Sequence, residues 1–235
     1  MKVSVVIPVY NEADNVGPLV EELASVRGVI PELEVVFVDD GSSDETPQRI
    51  RDAVRKYPFT RGWRFPINQG QSAAMLLGLS LATGDILVTM DGDGQNNPAD
   101  IPRLLEALAQ ADVVCGYRAH RQDRWTRRVA SRIGNRVRNW VTHDGVRDTG
   151  CSLKAFRREC VADLPPLRGV HRFMPAYFRL HGRQIVELAV DHRPRVRGHS
   201  KYTNLRRLPA TLFDLFGFLW YRSRCLRWPT PEPLK

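Results

Sequence analysis

The chain has 235 residues, of which 43% are hydrophobic, and a formal net charge of +9 at pH 7. This length fits one α/β domain with a small appendage, and the apolar fraction argues against global disorder. The basic excess lies mainly in the second half of the chain. It indicates an anionic partner, which leaves nucleic acid, anionic lipid and a phosphorylated substrate as the candidate classes.

The N-terminal run 1–10 is apolar, and its pattern predicts a core strand rather than a targeting segment. The run is too short to span a bilayer, no small-residue cleavage site follows it, and the polar residues 11–14 interrupt it at once. We therefore expect a protein of the cytoplasm or of the cytoplasmic face of a membrane. The cysteines show neither CxxC nor zinc-finger spacing, which predicts free thiols in a reducing compartment.

Strand-like apolar runs alternate with amphipathic helix-like runs through about residue 116. The predicted strands are Val3–Val9, Leu33–Asp39, Trp63–Phe65, Ile86–Met90, Val113–Gly116 and, later in the chain, Ile185–Val190. The predicted helices are Val16–Val26, Pro47–Tyr57, Ser72–Ala82 and Ile101–Gln110. This alternation is typical of an α/β fold, a mostly parallel sheet with helices on both faces.

Polar groups follow the first two predicted strands. Tyr10 and Glu12 come after the first strand, and Asp39 and Asp40 end the second. Because the carboxyl ends of neighbouring parallel strands share one edge, the two loops can form one nucleotide pocket. Glu12 and Asp39 could accept hydrogen bonds from a base or a ribose. Helix capping is the alternative role for residues 43–44, but it does not explain the paired aspartates.

The run Ile86–Thr89 predicts a buried strand that delivers two carboxylates to the same edge of the sheet. In extended backbone, residues two apart point to one side, so Asp91, Asp93 and Gln95 can converge. Such hard oxygen ligands suit Mg²⁺ or Mn²⁺, with a phosphorylated substrate completing the shell. A solvated turn is the alternative, because Asp, Gly, Asn and Pro are all turn formers.

The Gly-containing turn 68–71 enters a helix rich in small residues. The positive end of a helix attracts anions, and small side chains allow close approach, so a sugar or a phosphate fits here.

Several motifs in order resemble those of family-two glycosyltransferases with the GT-A fold. They are VSVVIPVYNE at 3–12, FVDDGSSDET at 37–46, NQGQSAAM at 68–75 and TMDGDGQNNP at 89–98. Within that family, DTGCSLKAFRR at 148–158, RFMPAY at 172–177 and SKY at 200–202 resemble the polyprenyl-phosphate glycosyltransferases. That group includes the dolichol-phosphate sugar synthases.

The resemblance implies transfer, with inversion, from a UDP- or GDP-sugar to a polyprenyl phosphate, assisted by Mg²⁺ or Mn²⁺. It places nucleotide-sugar binding on Pro8, Tyr10, Glu12, Asp39, Asp40, Asn68, Gly70 and Asp91, and metal binding on Asp91, Asp93 and Gln95. The expected catalytic residues are Asp91, Asp93, Arg118 and Asp148. Arg118 would face the phosphates, and Asp148 would either orient the sugar or hold the DTGC turn.

Residues 122–142 predict a strongly amphipathic helix with an apolar stripe that includes Trp125 and a neighbouring basic stripe, to which Arg121, Arg128 and Arg138 contribute charge. A solvated face is the ordinary explanation for such charge. Arginine beside an apolar stripe also suits an anionic membrane surface or the phosphate of a lipid acceptor. In the basic loop that follows Ile185–Val190, the resemblance assigns Arg197, Ser200 and Lys201 to phosphate binding.

We predict a glycosyltransferase domain over 1–204 and a tail over 205–235. The apolar run of the tail is shorter than the roughly 20 residues that span a bilayer, and Asp214 interrupts it. An interfacial helix on an anionic membrane surface is one interpretation, and packing within a homo-oligomer is the other.

An ionised lipid phosphate needs little proton abstraction, so we expect direct in-line attack on the anomeric carbon. The alternative is a soluble family-two enzyme that glycosylates a sugar or protein hydroxyl. It is disfavoured because the QxxRW segment of processive polymerases is missing. We expect no nucleic-acid partner, because the arginines lie beside an apolar stripe rather than among exposed aromatic residues.

Overall fold

The computed structural model describes residues 1–119, 138–194 and 204–226, with side chains of the last segment described from residue 212. The strands are β1 (Val3–Val9), β2 (Leu33–Asp39), β3 (Thr60–Arg64), β4 (Ile86–Thr89), β5 (Val113–Arg118), β6 (Lys154–Arg157) and β7 (Ile185–Val190). The α-helices are α1 (Ala13–Val26), α2 (Thr46–Lys56), α3 (Gln71–Leu81), α4 (Ile101–Ala107), α5 (Val170–Leu180) and α6 (Asn204–Arg224). Short 3-10 helices cover Pro98–Asp100 and Arg158–Asp163.

The strands form one seven-stranded sheet in the order β3-β2-β1-β4-β6-β5-β7. All neighbours are parallel except β6, which runs antiparallel to both β4 and β5. The predicted α/β fold with a mostly parallel sheet is therefore confirmed. Because β6 is reversed, its first residues lie at the carboxyl ends of β4 and β5, where the predicted site residues are.

Each face of the sheet buries its own apolar core. One core packs strand residues such as Val5 and Val88 against α1, α2 and α4. The other packs Val6 and Leu87 against α3, α5 and α6. Successive residues of β1 and β4 thus point to opposite cores, which explains why these strands read as continuous apolar runs.

The last helix is attached to the domain by aromatic packing. Phe218 of α6 is buried against Phe173 and Tyr177 of α5, with ring centroids 6.0 and 5.3 Å away. Tyr221 adds an edge-on contact with Tyr177 at 5.3 Å. One face of α6 therefore belongs to the second core.

β1, β2 and β7 have the predicted bounds. β3 begins at Thr60 rather than Trp63, because its parallel pairing with β2 extends over Val35–Asp39. α4 ends at Ala107 rather than Gln110, because the backbone of the last residues closes into tighter turns: the N–H groups of Ala109 and Gln110 donate three residues back. Of the amphipathic helix predicted over 122–142, the structure describes residues 138–142, which are helical.

Arg138 was predicted as part of the charged surface of that helix, and this prediction is wrong. Its side chain is mostly buried, with Nε 3.3 Å from Asp144 and Nη2 donating to the Val146 carbonyl at 2.7 Å. Burial lowers the pKa of Arg138, while the Asp144 carboxylate acts in the opposite direction. The predicted phosphate-binding residues Arg121, Arg128, Arg197, Ser200 and Lys201 lie outside the described residues.

All four cysteines lie in the described part of the chain and are free thiols, as predicted. Burial raises the pKa of Cys115 to about 12 and of Cys160 to about 11. These two thiols behave as small apolar side chains of the core.

Candidate active site

The loops after β1 and β2 lie together, as the sequence predicts. The Asn11 N–H donates to Ser42 Oγ at 2.8 Å, and the Ser43 N–H donates to Asn11 Oδ1 at 2.8 Å. The Glu12 N–H donates to Thr46 Oγ1 at 2.8 Å. Ser43 therefore binds the first loop instead of capping α2, whereas Asp44 accepts from the N–H of the first residue of that helix at 2.9 Å.

Asp39 is buried beside this loop pair. Its Oδ1 accepts from the Ser42 N–H at 3.0 Å, and its Oδ2 lies 3.0 Å from Arg64 Nε. Despite this ion pair, Oδ2 is buried and accepts no hydrogen bond from the described residues. The predicted nucleotide contacts Pro8, Tyr10 and Glu12 are half-buried at the same edge, and Glu12 Oε2 accepts from Asn15 Nδ2 at 2.6 Å.

Asp40 points away from Asp39, towards the loop after β3. Its carboxylate accepts from the N–H groups of Gln69 at 2.7 Å and Gly70 at 2.9 Å, and from Asn68 Nδ2 at 2.9 Å. Burial raises the pKa of Asp40, and the donors from Gln69 and Gly70 oppose the rise. Asp40 and Asn68 therefore shape this loop, and a direct contact of either residue with a nucleotide stays a prediction.

Gly41 allows these two loops to approach each other. It has φ +72°, and a Cβ at this position would lie 2.6 Å from the backbone nitrogen of Asn68. Any side chain would push the loops apart. The loops after β2 and β3 therefore meet at a position that requires glycine.

The loop after β4 is a turn and not extended backbone. The prediction that Asp91, Asp93 and Gln95 converge assumed extended backbone, and that assumption is wrong. Residues 92–94 turn, with φ +73° at Gly94, and the Gln95 N–H donates to Asp93 Oδ1 at 3.1 Å. The Gln95 side chain reaches the segment after β7, where its Nε2 lies 3.4 Å from His192 Nε2 and donates to the Arg193 carbonyl at 3.3 Å.

Asp91 is fixed by hydrogen bonds to two other parts of the chain. Its Oδ1 accepts from Gln71 Nε2 of α3 at 2.9 Å, and its N–H donates to Ser152 Oγ at 3.1 Å. Burial raises the pKa of Asp91, and the negative charge of Asp93 raises it further. The Ser152 hydroxyl and the positive charges of Lys154 and Arg118 act in the opposite direction. The two carboxylates therefore repel each other in a site that favours a cation or cationic side chains.

Arg118 ends β5 beside this loop and forms a two-bonded ion pair with Asp148. The distances are 2.7 Å from Nε to Oδ2 and 2.8 Å from Nη2 to Oδ1. The Asp148 backbone carbonyl also accepts from the Cys151 N–H at 3.2 Å. The Asp148 carboxylate thus fixes the guanidinium, and the backbone carbonyl of Asp148 closes the DTGC turn, while a role of the carboxylate towards the sugar stays a prediction.

A second chain of contacts leads from this edge to the last helix. Ser72 Oγ, next to Gln71, accepts from the Gly169 N–H at 2.9 Å and forms a 2.7 Å hydrogen bond with His171 Nδ1. Arg172 Nη1 then lies 3.1 Å from Asp214 Oδ2 of α6. The helix that was predicted to contact a membrane or a partner is therefore joined to the start of α3.

A family model described as glycosyl transferase family 2 matches residues 4–164. The chain belongs to glycosyltransferase family 2. An undecaprenyl-phosphate 4-deoxy-4-formamido-L-arabinose transferase of Edwardsiella ictaluri is 38% identical over 217 residues, which cover 91% of this chain and 66% of that protein. A dodecaprenyl-phosphate galacturonate synthase of Rhizobium johnstonii is 35% identical over 237 residues, covering 95% and 69%. The chain thus spans just under two thirds of the arabinose transferase.

Solved structures of other enzymes share the fold of this family 2 member. Mycobacterium tuberculosis glucosyl-3-phosphoglycerate synthase, in complex with Mn²⁺, UDP and glucosyl-3-phosphoglycerate, has a TM-score of 0.71 at 21% identity, covering 96% of this chain and 81% of that one. A Pyrobaculum calidifontis mannosyltransferase in complex with GDP-Man and Mn²⁺ has a TM-score of 0.70 at 21% identity, covering 97% and 66%. The predicted GT-A fold is confirmed, as is the resemblance to polyprenyl-phosphate glycosyltransferases.

Sequence reasoning missed three side chains of this glycosyltransferase site. Gln71 and Ser152 bind Asp91, and the buried Lys154 pairs with Thr89, two residues before Asp91. Lys154 and Ser152 belong to the DTGCSLKAFRR segment, so the motif indicated this segment but not these two side chains. Their position could not be predicted, because it depends on the antiparallel insertion of β6.

Proposed function

We propose that this family 2 glycosyltransferase transfers a sugar, with inversion, from a UDP- or GDP-linked donor to a polyprenyl phosphate. The observation that carries the proposal is the pair of repelling carboxylates, Asp91 and Asp93, at the carboxyl end of β4, with the charges of Arg118 and Lys154 acting on Asp91. The names of the relatives support the acceptor class. Transfer to a sugar or protein hydroxyl is the alternative.

The nucleoside of the donor would lie over the joined loops of β1 and β2. Asp39 supports this placement, because its buried Oδ2 lacks a hydrogen-bond donor among the described residues and a base or ribose could supply one. Pro8, Tyr10 and Glu12 border the same edge. Asn68 and Gly70 would form the adjoining wall, held in shape by Asp40.

A divalent cation fits the loop after β4. The described residues contain no group of three or more His, Cys, Asp or Glu side chains that could hold a metal by themselves. Two carboxylates with mutual repulsion nevertheless suit Mg²⁺ or Mn²⁺ when a diphosphate completes the shell. We propose Asp91 and Asp93 as the ligands, with Gln95 joining them if its side chain turns from His192. When bound, the cation would neutralise the departing nucleoside diphosphate.

Arg118 would stabilise the same negative charge from the side of β5. Its ion pair with Asp148 fixes the guanidinium before the donor arrives, so little reorganisation is needed during transfer. The lipid phosphate would attack the anomeric carbon directly, because it is largely ionised near neutral pH. Binding of that phosphate by Arg121, Arg128, Arg197, Ser200 and Lys201, which lie outside the described residues, stays a prediction.

We further propose that the exposed face of α6 lies on an anionic membrane surface. Phe213, Phe216 and Trp220 follow the spacing of one helix face and are 80%, 69% and 62% exposed. Arg222 and Arg224 follow in the last turn. None of the helices in the described ranges is long and apolar enough to cross a bilayer. Aromatic side chains beside arginines suit the headgroup layer, and a homo-oligomer contact is the alternative.

The test measures the melting temperature with different donors and then the transfer of the sugar to different acceptors. UDP- and GDP-sugars, with and without Mn²⁺ or Mg²⁺, should raise the melting temperature for one nucleotide and do so more strongly with metal. With that donor, a short-chain polyprenyl phosphate and simple hydroxyl acceptors are then compared. Product on the lipid phosphate supports the proposal, product on a hydroxyl supports the alternative, and no shift with any donor refutes both.

A further inference from the structure

Lys154 is buried with only 2% of its surface exposed, yet it forms no salt bridge within the described part of the chain. Its ammonium donates to the Cys151 carbonyl. Lysine is almost never fully buried unless it is paired, because a charge that leaves water without a counter-charge is costly. The protein therefore keeps a positive charge in its interior, and none of the described carboxylates lies at salt-bridge distance from it.

The strand register shows which face of the sheet this cation occupies. Lys154 pairs with Thr89 of β4 and with Cys115 of β5. Directly paired residues project to the same face, and Cys115 belongs to the core beneath α3 and α5. The lysine is thus on the α3 side, at the end of β6 that meets the active-site edge.

Asp91 is on this face too. It follows Met90, which points into the opposite core, and its carboxylate binds Gln71 at the start of α3. Lys154 pairs with Thr89, two residues before Asp91, and the Asp91 N–H donates at 3.1 Å to Ser152 Oγ, two residues before Lys154. The ammonium and the carboxylate loop are therefore neighbours across β4 and β6, and any diphosphate bound at Asp91 and Asp93 would feel this charge in a region shielded from water.

We propose that Lys154 is a positioning residue that supplies a fixed positive charge beneath the donor diphosphate, so that part of the affinity for the nucleoside diphosphate does not depend on the metal. This inference rests on the proposed donor site. It explains why a cation is kept in the core without a salt bridge: the anion that compensates it is the ligand. It also gives Arg118 and Lys154 different roles, because Arg118 already forms an ion pair with Asp148, whereas Lys154 has no salt bridge within the described residues.

The experiment measures binding of UDP and GDP by calorimetry, in EDTA and in Mn²⁺, together with melting temperatures. Lys154→Met keeps the length of the side chain and removes its charge, and Lys154→Arg keeps the charge. Lys56→Met makes the same change at an exposed lysine of α2 and serves as the matched control. The nucleotide that binds the unaltered protein is used for all variants.

We expect Lys154→Met to lose about tenfold or more in affinity, in EDTA as well as in Mn²⁺, with Lys154→Arg within about threefold of the unaltered protein. The unliganded Lys154→Met protein should melt within a few degrees of the unaltered protein, because removing a buried charge stabilises the fold while losing its attraction for Asp91 destabilises it. A purely structural lysine predicts the opposite pattern, a lower melting temperature with unchanged affinity or failure to fold, and either result overturns the inference. If the unaltered protein binds neither nucleotide, the proposed function fails and the inference fails with it. Equal binding by Lys154→Met and the unaltered protein overturns the inference alone.

Discussion

Arg118 and Asp148 are 30 residues apart in the chain and meet in a parallel two-bonded ion pair, with N–O distances of 2.7 and 2.8 Å. The guanidinium is already fixed at the edge of the sheet before a substrate binds. Such a pair has directional demands that a lysine or an amide cannot meet.

Asp148→Asn should therefore lower turnover by about tenfold or more, because Arg118 loses its fixed orientation. Arg118→Lys should have a similar effect, since an ammonium cannot make two parallel bonds. Transfer rates under saturating donor and the melting temperature check this. Asp52→Asn, at an exposed carboxylate of α2, is the control and should change neither. An Asp148→Asn enzyme with unaltered turnover would show that the orientation of Arg118 does not contribute to transfer.

Asp91 and Asp93 should be separately required for turnover and dispensable for folding. Asp93→Ala removes the charge that raises the pKa of Asp91, so the unliganded protein should be as stable as the unaltered one or slightly more stable. Its metal-dependent thermal shift with a nucleotide-sugar should disappear. Circular dichroism, thermal shift and transfer are measured on Asp91→Ala and Asp93→Ala. Full activity of Asp93→Ala would refute the metal assignment.

The strand ends could be predicted from the sequence because the signal is local. Apolar runs such as Val3–Val9 and Leu33–Asp39 gave the strand bounds, and parallel topology alone brings their loops together. The turn after β4 is the alternative that the sequence left open, and the prediction of converging ligands is wrong because it carries the alternation of extended backbone past the last strand residue. Gly94 is the local signal for a turn in the sequence, because glycine readily adopts the positive φ, here +73°, that this turn requires.

Non-local pairing accounts for what the sequence could not reveal. Lys154 reads as an ordinary charged residue until β6 is inserted, reversed, between β4 and β5. Arg138 counts in the sequence as added charge on the predicted amphipathic helix, whereas its burial depends on contacts with Asp144 and the Val146 carbonyl. In both cases the burial of a charge depends on residues distant in sequence or on irregular backbone, for which periodicity carries no information.

Glu34 should make the stability of the protein fall in acid. Burial acts to raise its pKa, but donors from Ser4, Arg61 and Thr83 outweigh burial and hold the pKa at about 2. Since the folded pKa is below the usual value of 4.5, the stabilisation is complete above that value and is lost as pH falls towards 2. Glu34→Gln should therefore cost about 1–3 kcal/mol in the free energy of unfolding at pH 7 and much less near pH 2.

Urea unfolding of Glu34→Gln across this pH range checks that prediction, with Glu32→Gln as the control. Glu32 is two residues away and, among the described residues, its one ion pair is with the exposed N-terminus, so its substitution should have little effect at any pH. A stability difference for Glu34→Gln that stays constant from pH 7 to pH 2 would contradict the assignment, because it would not depend on ionisation.

The exposed stripe of α6 should control membrane binding without changing the fold. Phe213, Phe216 and Trp220 lie opposite Phe218, which is buried against α5. A triple change of the stripe to Ser should leave the melting temperature within a few degrees and weaken binding to vesicles with anionic lipid by about tenfold or more. The same change at Val29, which is 70% exposed at a distant turn, is the control. Sedimentation with vesicles, compared with the mass in solution, separates the two interpretations of the tail. If the stripe variant keeps its vesicle binding but changes from oligomer to monomer, the helix packs on another copy of the chain and not on lipid.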